Sequence, residues 1–306
     1  MPDLSIEIAG LRLRNPVILA SGTVGYGPEY VGLIEFETVG AFVTKTVTVE
    51  PRPGNSPPRL VEAGGGLLNA IGLENVGLER FLDEKLPEAA RLTAPLIASI
   101  AGTSREEMAR LSEAVGARNE VCALELNISC PNVERAACPL WSDPDGAAGF
   151  VAEARAATDK PLLLKLSPQA ANVEAVAVAA AEAGADALVV ANTMTGMRID
   201  LAARRPALGN TTGGLSGPPL RPVNLALVWR VAGAVDIPIV GSGGVGSARD
   251  ALEYLMAGAS AVEVGTALYR DPGAAATMVG GLIEFMEEDN VSEIRSYIGA
   301  ARGEAA

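Results

Sequence analysis

Eight short apolar segments recur along this chain, and each is followed directly by a polar or glycine-containing stretch. The segments span residues 16–20, 41–44, 96–98, 121–126, 161–164, 187–191, 237–240 and 261–264. Short segments that are apolar throughout are typical of parallel strands whose two faces are both covered. Helix signals lie between them, including the capping pattern Ser104-x-x-Glu107 and an alanine-rich stretch, 172–183, that ends at Gly184. This alternation predicts an α/β fold, a closed (β/α)8 TIM barrel that forms one domain over residues 1–306.

Three stretches lie outside the repeating pattern. Residues 4–8 and 11–13 alternate on either side of Gly10, which predicts a small N-terminal β-hairpin. The connection 50–73 is rich in proline and glycine, and the connection 193–222 contains a Thr-Thr-Gly-Gly-Leu-Ser-Gly run. Long connections without structure of their own are usually lids or binding loops, and disorder is the alternative. We therefore expect long active-site loops on the barrel.

Glycine-containing turns follow the last two predicted strands. Gly243-Gly244 comes after the seventh strand and Gly265-Thr266 after the eighth. Backbone N–H groups near a helix start bind anions, and these two loops are the usual phosphate site of the barrel. The pair predicts a phosphorylated ligand without saying which one.

Lysines follow two other strands, Lys165 after the fifth and Lys45 after the second. Either amine could form a Schiff base with a sugar phosphate, as in an aldolase, or could hold a positive charge against an electron-rich ring. Pairing with surface carboxylates is a poor explanation for residues that directly follow buried strands.

Amide side chains and one thiol also lie at the predicted active face. Asn69, Asn127, Asn132 and Asn192 could converge on one ligand, and amides in that number suit a flat heterocycle with carbonyl and N–H edges. Cys130 lies in the loop between two of these asparagines. A thiol pKa is easily shifted towards neutrality, so Cys130 is a candidate base, whereas a small buried apolar residue is the alternative.

Composition excludes several classes of function. A net charge of −13 argues against nucleic acid or an anionic membrane as partner. The absence of histidine removes Ser-His and Cys-His catalysis and histidine-based metal sites. The three cysteines include no C-x-x-C pair, so we expect no metal or iron–sulfur site in this chain, and their small odd number suits a reducing cytoplasm. Neither a secretory signal nor a membrane span is predicted.

Motifs along almost the whole chain resemble the dihydroorotate dehydrogenases, flavin enzymes of pyrimidine synthesis. The motifs are at 15–17, 20–23, 45–46, 69–73, 127–133, 165–168, 192–193, 213–217, 243–244 and 265–266. The resemblance implies FMN, with its phosphate on the Gly243-Gly244 and Gly265-Thr266 loops. It further implies that the flavin is surrounded by Ser21, Lys45, Thr46, Asn127, Lys165, Ala191 and Gly217. Ser99 is also predicted to lie beside the flavin, but it departs from the pattern, because the family usually has an asparagine there.

The same resemblance implies the substrate site and the chemistry. The residues that would hold the pyrimidine ring and its carboxylate are Lys45, Asn69, Ala70, Ile71, Gly72, Leu73, Asn127, Asn132, Asn192 and Thr193. Cys130 would remove the proton from C5 of dihydroorotate while hydride leaves C6 for the flavin.

A cysteine at position 130 implies a soluble class 1 enzyme, since the membrane-associated class uses serine there. The opening from Asn15 to Tyr30, with Gly25-Tyr26-Gly27, looks most like the B subgroup. That subgroup implies a partner subunit carrying FAD and a [2Fe–2S] cluster, which passes electrons to NAD in a heterotetramer built around a catalytic homodimer.

Other functions remain open from the sequence. One is the fumarate-reducing A homodimer or a dihydropyrimidine-reducing relative, and another is a Schiff-base phosphosugar aldolase or isomerase that uses Lys165. A non-enzymatic binding module is the third, and Cys130 among amides at a strand end disfavours it.

Overall fold

The computed structural model describes residues 2–128 and 143–303, so Cys130 and Asn132 lie outside the described residues. In chain order the strands of this part are β1 (Ile6–Ile8), β2 (Leu11–Leu13), β3 (Val17–Leu19), β4 (Ala41–Val43), β5 (Leu60–Ala63), β6 (Gly66–Asn69), β7 (Leu96–Ile100), β8 (Val121–Asn127), β9 (Leu162–Lys165), β10 (Ala187–Val190), β11 (Met194–Gly196), β12 (Ile199–Asp200), β13 (Arg205–Pro206), β14 (Gly213–Ser216), β15 (Ile239–Ser242) and β16 (Ala261–Val264). The helices are α1 (Leu78–Arg80), α2 (Leu86–Ala89), α3 (Arg105–Gly116), α4 (Pro144–Ala157), α5 (Val173–Glu182), α6 (Arg221–Val231), α7 (Ala248–Met256), α8 (Ala267–Arg270) and α9 (Ala274–Glu288), and a π-helical segment, Phe81–Lys85, joins α1 to α2.

Eight parallel strands close into a barrel in the order β3, β4, β7, β8, β9, β10, β15 and β16. This confirms the predicted (β/α)8 barrel. Strand residues such as Phe42, Leu124 and Val189 are completely buried, because helices cover the outer face and side chains fill the interior. No helix in the described ranges is long and apolar enough to cross a membrane.

Caps fix where the predicted helices begin. The Ser104 hydroxyl accepts a hydrogen bond from the Glu107 N–H at 3.2 Å. The Glu107 carboxylate accepts from the N–H of Thr103 at 2.7 Å, one residue earlier than a standard capping box. Helix α5 begins after Asn172, whose side chain accepts from the Ala175 N–H.

The predicted N-terminal hairpin is confirmed. Ile6 pairs with Leu13 and Ile8 with Leu11 in an antiparallel ladder. The two turn residues between the strands both have positive φ, 52° at Ala9 and 76° at Gly10. This is the backbone that a tight two-residue hairpin turn requires.

Seven of the eight barrel strands differ by one or two residues from their predicted bounds, and two of these differences change how the strand is understood. The seventh begins at Ile239, because Pro238 has no N–H for a strand ladder, and it continues through Ser242. Gly241 within it gives room to a tyrosine ring, since a Cβ there would lie 2.3 Å from Cδ1 of Tyr254. The fifth strand includes Lys165, whose side chain is therefore inside the barrel and not on the loop beyond it.

The prediction that every barrel strand is apolar throughout is wrong, because two of the strands contain a buried acidic residue. Glu125 lies within β8 and Glu263 within β16, with exposed fractions of 0% and 2%. Both bear on the site described below.

The two long connections are structured, which corrects the expectation of loops without regular structure. Strands β5 and β6 from the first pair with β14 and β11 from the second in a four-stranded antiparallel sheet, in the order β11-β14-β6-β5. Leu68, Ala70 and Leu208 form a small apolar core against it. The sheet therefore ties together two loops that follow different barrel strands.

Candidate active site

A cavity of about 1370 Å³ opens between the carboxyl ends of the barrel strands and the four-stranded sheet. Its lining includes most of the residues that the sequence predicts for the site: Ser21, Lys45, Thr46, Asn69, Ile71, Gly72, Leu73, Asn127, Lys165, Ala191, Asn192, Thr193, Gly217, Gly243, Gly244, Gly265 and Thr266. Pockets for a single small ligand have volumes of roughly 300–1,000 Å³, so this cavity has room for a cofactor and a substrate together.

Two predicted residues in the described part do not reach the cavity wall. Ala70 is 1% exposed and packs with Leu68 and Leu208 in the small apolar core of the sheet. Ser99 is completely buried, and its hydroxyl lies 3.0 Å from that of Thr46. Ser99 therefore supports a lining residue from behind. Cys130 and Asn132 follow β8 in the chain, outside the described residues.

Thr46 is the centre of a polar network at the ends of β4, β7 and β8. Its hydroxyl lies 3.3 Å from that of Ser21 and accepts a hydrogen bond from the Asn127 amide at 3.2 Å. The Asn192 side-chain amide in turn donates to Oδ1 of Asn127 at 3.4 Å. The network holds the side chains of Asn127 and Asn192 in defined orientations.

The floor of the cavity holds a buried ionic cluster that sequence reasoning missed. Nζ of Lys165 lies 3.2 Å from Oε2 of Glu125 and 2.6 Å from Oε2 of Glu263. The side chains are 8%, 0% and 1% exposed. The sequence does contain a signal for this cluster, which is an acidic residue inside each of two otherwise apolar strands. A buried charge requires a partner, so these residues predict a buried cation nearby.

The cluster determines the protonation of Lys165. Burial alone would lower the pKa of its ammonium, but the charges of Glu125 and Glu263 outweigh burial and hold the pKa above its usual range. A Schiff base needs the neutral amine as nucleophile. The geometry therefore disfavours the aldolase alternative and favours a fixed cation.

The glycine turn after β15 is rigidly held. Gly243 and Gly244 have φ of 119° and 73°, and a Cβ on Gly244 would lie 2.7 Å from the carbonyl oxygen of Gly217. The Tyr254 hydroxyl donates to the Gly243 carbonyl at 2.7 Å, and the Asn224 amide donates to the Ser242 carbonyl at 2.7 Å. Helix α7 begins a few residues later, so backbone donors and a helix N-terminus lie together. This arrangement is suited to a phosphate.

A (β/α)8 barrel with fixed amides, a buried lysine and an anion-binding turn at one end of its strands is the architecture of a barrel enzyme. The family model for dihydroorotate dehydrogenase matches residues 3–286. The chain belongs to the dihydroorotate dehydrogenase family.

Two curated relatives resemble the chain over nearly its whole length. It is 49% identical over 299 residues to the dihydroorotate dehydrogenase B (NAD(+)) catalytic subunit of Geotalea uraniireducens, covering 98% of each chain. It is 50% identical over 299 residues to the subunit of the same name from Pelobacter propionicus, again covering 98% of each. These relatives confirm the resemblance to the B subgroup, and they do not favour the fumarate-reducing A subgroup or the aldolase.

A solved structure of a dihydroorotate dehydrogenase from Eimeria tenella, in complex with ferulenol, matches this chain with a TM-score of 0.84. The match covers 99% of this chain and 90% of that one at 24% identity. It shows that the two share a fold.

Proposed function

We propose that this chain is the catalytic subunit of an NAD-linked dihydroorotate dehydrogenase, which oxidises dihydroorotate to orotate in pyrimidine biosynthesis. The observation that carries the proposal is the convergence of the family motifs on one cavity, supported by near-full-length relatives that are named as this catalytic subunit. A flavin follows from the family, and we propose FMN in particular.

The lining fits FMN at both ends of that molecule. The turn at Gly243-Gly244, together with Gly265-Thr266, offers backbone donors to a terminal phosphate. Around the ring we assign Ser21, Lys45, Thr46, Asn127, Lys165, Ala191 and Gly217, which all line the cavity. Ser99 acts on the ring only through its hydrogen bond to Thr46. When bound, FMN supplies the acceptor for the hydride that leaves C6 of dihydroorotate.

The remaining lining residues bind and orient the pyrimidine. We assign to the ring and its carboxylate Lys45, Asn69, Ile71, Gly72, Leu73, Asn127, Asn192 and Thr193, together with Asn132 outside the described residues. Ala70 supports this segment by packing with Leu68 and Leu208. Asn127 and Asn192 are already hydrogen-bonded to each other, so they meet a planar ligand in fixed orientations.

Cys130 is the proposed base. The C5 proton of dihydroorotate is adjacent to a carbonyl, so a thiolate can remove it as the C5–C6 double bond forms. The proton stays on the sulfur of Cys130, and the two electrons leave with the hydride from C6.

Electrons bound for NAD require a second protein. The described residues contain no cluster of three or more histidine, cysteine or acidic side chains that could hold a metal ion. We propose a partner subunit carrying FAD and a [2Fe–2S] cluster, in a cytoplasmic heterotetramer around a catalytic homodimer. The words "catalytic subunit" in the names of the relatives support a separate partner.

The proposal is tested by anaerobic reduction of the reconstituted chain. The purified protein is loaded with FMN and mixed with dihydroorotate, and we expect bleaching of the flavin absorbance with formation of one orotate per flavin. A chain that binds FMN but is not bleached by dihydroorotate would contradict the proposed reaction.

A further inference from the structure

Two carboxylates and one ammonium meet inside the barrel below the cavity. Glu125 comes from β8, Lys165 from the adjacent strand β9, and Glu263 from β16 on the opposite side of the barrel. All three side chains line the cavity floor while remaining almost completely inaccessible to water.

The charges in this cluster do not balance if every group is ionised. One ammonium against two carboxylates leaves a net negative charge in a dry interior, which is strongly unfavourable. The cluster therefore needs either one bound proton or another cation, and the described residues that act on Glu125 by charge are Lys165 and Glu263. From the other neighbouring strand, β7, the residue in register with Glu125 is the uncharged Ser99.

The hydrogen bonds distinguish the two carboxylates. Oε2 of Glu263 accepts from Lys165 at 2.6 Å and from the Ser242 hydroxyl at 3.0 Å, which stabilises the ionised form. Among the described residues, Glu125 accepts only the longer bond from Lys165, at 3.2 Å. Its other oxygen, Oε1, is buried and has no hydrogen-bond partner among the described residues. Glu125 is therefore the poorer site for a charge and the better site for a proton.

We propose that Glu125 and Glu263 hold one proton between them, mainly on Glu125, and that this proton keeps the cluster with Lys165 neutral beneath the ligand cavity. The two glutamates are positioning residues for Lys165, which they hold from opposite sides of the barrel.

The direction of each pKa agrees with this assignment. Burial raises the pKa of the Glu125 carboxyl to about 8, and the charge of Lys165 opposes the rise only in part. Burial would also raise the pKa of Glu263, but Lys165 and the hydrogen bonds to Glu263 hold it below its ordinary value. As the pH rises through about 8, the net charge of the cluster on the cavity floor should therefore change from zero to negative.

Infrared spectroscopy of the flavin-free protein with ¹³C-labelled glutamate tests the shared proton. We expect the parent to show one protonated carboxyl C=O band that shifts in D₂O and disappears as the pH rises through about 8. Glu125→Gln should lose this band. Glu263→Gln should lose it too, because Glu125 is then the sole counter-ion of Lys165 and ionises. Glu174→Gln, at an exposed ion pair with Arg230, is the control and should keep the band.

Each infrared outcome decides the proposal. Absence of the band from the parent at pH 7 would overturn it. A band that persists in Glu263→Gln would show that Glu125 is neutral by itself, which overturns the sharing. If either variant fails to fold, the pH titration and the D₂O shift of the parent still decide whether the cluster holds a proton.

A second measurement tests whether the shared proton affects a ligand bound in the cavity. This measurement rests on the proposed FMN function. A negative charge on the floor should disfavour reduction of a flavin above it. The midpoint potential of the reconstituted parent should therefore fall more steeply with pH around pH 8 than that of Glu125→Gln. Equal slopes would overturn the link to the cavity. Failure to bind any flavin would count against the proposed function and leave the infrared result standing.

Discussion

Nζ of Lys165 lies 2.6 Å from Oε2 of Glu263, and the pair joins two strands, β9 and β16, that are not neighbours in the barrel. With side chains 8% and 1% exposed, this is a buried ion pair whose partners are fixed by the fold. The lysine is thus a structural cation as well as a candidate ligand of the cofactor.

Replacement of Lys165 by alanine should destabilise the fold, because it leaves the negative charge shared by the two buried glutamates without a counter-ion. Removing one partner of a buried ion pair costs about 3–5 kcal/mol. Urea unfolding of the flavin-free protein measures the loss. Lys85→Ala is the control, since its ion pair with Glu29, at 3.7 Å, is partly exposed and should contribute about 1 kcal/mol or less. Similar small losses in both variants would contradict the structural role of Lys165.

Glu125→Gln should change how stability depends on pH. Burial raises the pKa of Glu125 from an ordinary value of 4.5 to about 8. In the pH window between these two values, the folded state holds a proton that the unfolded state has lost. The free energy of unfolding of the parent, relative to the variant, should therefore fall by about 1.4 kcal/mol per pH unit as pH rises through the window. Below and above this pH window, the difference in free energy of unfolding between parent and variant should not change with pH. Urea titrations at a series of pH values give the difference, and a flat difference would show that Glu125 is ionised throughout.

Gly244→Ala should weaken FMN binding at least about tenfold, equivalent to about 1.4 kcal/mol. The residue has φ of 73°, and an added Cβ would meet Gly217 and Arg221 at 2.7 and 2.8 Å. Gly246→Ala is a matched control on the same turn, because a Cβ there would have no neighbour closer than 3.7 Å. Quenching of FMN fluorescence measures both affinities. Equal FMN affinities of the two variants would show that the phosphate does not bind at this turn.

Cys130→Ala should retain FMN and bind orotate but slow flavin reduction by dihydroorotate by roughly 10²–10⁴-fold, the usual effect of losing a positioned base. Cys130→Ser should recover some activity only at raised pH, because a hydroxyl ionises less readily than a thiol. Stopped-flow absorbance measures the rates.

Cys122 provides the matched control for that experiment. Its thiol donates to the carbonyl oxygen of Leu96 at 2.9 Å, and burial raises its pKa to about 11. Cys122→Ala should therefore reduce flavin at nearly the parental rate, and iodoacetamide should modify Cys130 well before Cys122. Parental reduction rates in Cys130→Ala would exclude it as the base.

The isolated chain, loaded with FMN, should transfer electrons from dihydroorotate to small dyes but not to NAD. Addition of a partner subunit with FAD and an iron–sulfur cluster should restore NAD reduction. Steady-state assays with NAD, with fumarate and with a dye measure the three acceptors. NAD reduction by the chain alone would contradict the need for a partner, and rapid fumarate reduction would indicate the A subgroup.

The sequence predicts the barrel and most of the cavity wall because both follow from local patterns. A polar residue that directly follows a predicted buried strand of a parallel barrel lies at the active face, as Asn127 and Asn192 illustrate. The ionic cluster was missed because its members are 40 and 98 residues apart, and a single glutamate barely changes the apolar character of a short strand. The four-stranded sheet was missed because its strands are glycine-rich and pair across 145 residues, as Asn69 does with Gly214.

That sheet also governs how molecules can reach the cavity. Strand β6 belongs to the connection after β4, and β14 to the connection after β10, yet the two share one hydrogen-bonded ladder. Neither connection can swing aside alone without breaking that ladder. Molecules must therefore enter and leave past the shorter loops around the rim, or the four-stranded sheet must move as one rigid unit. In either case the two connections move together.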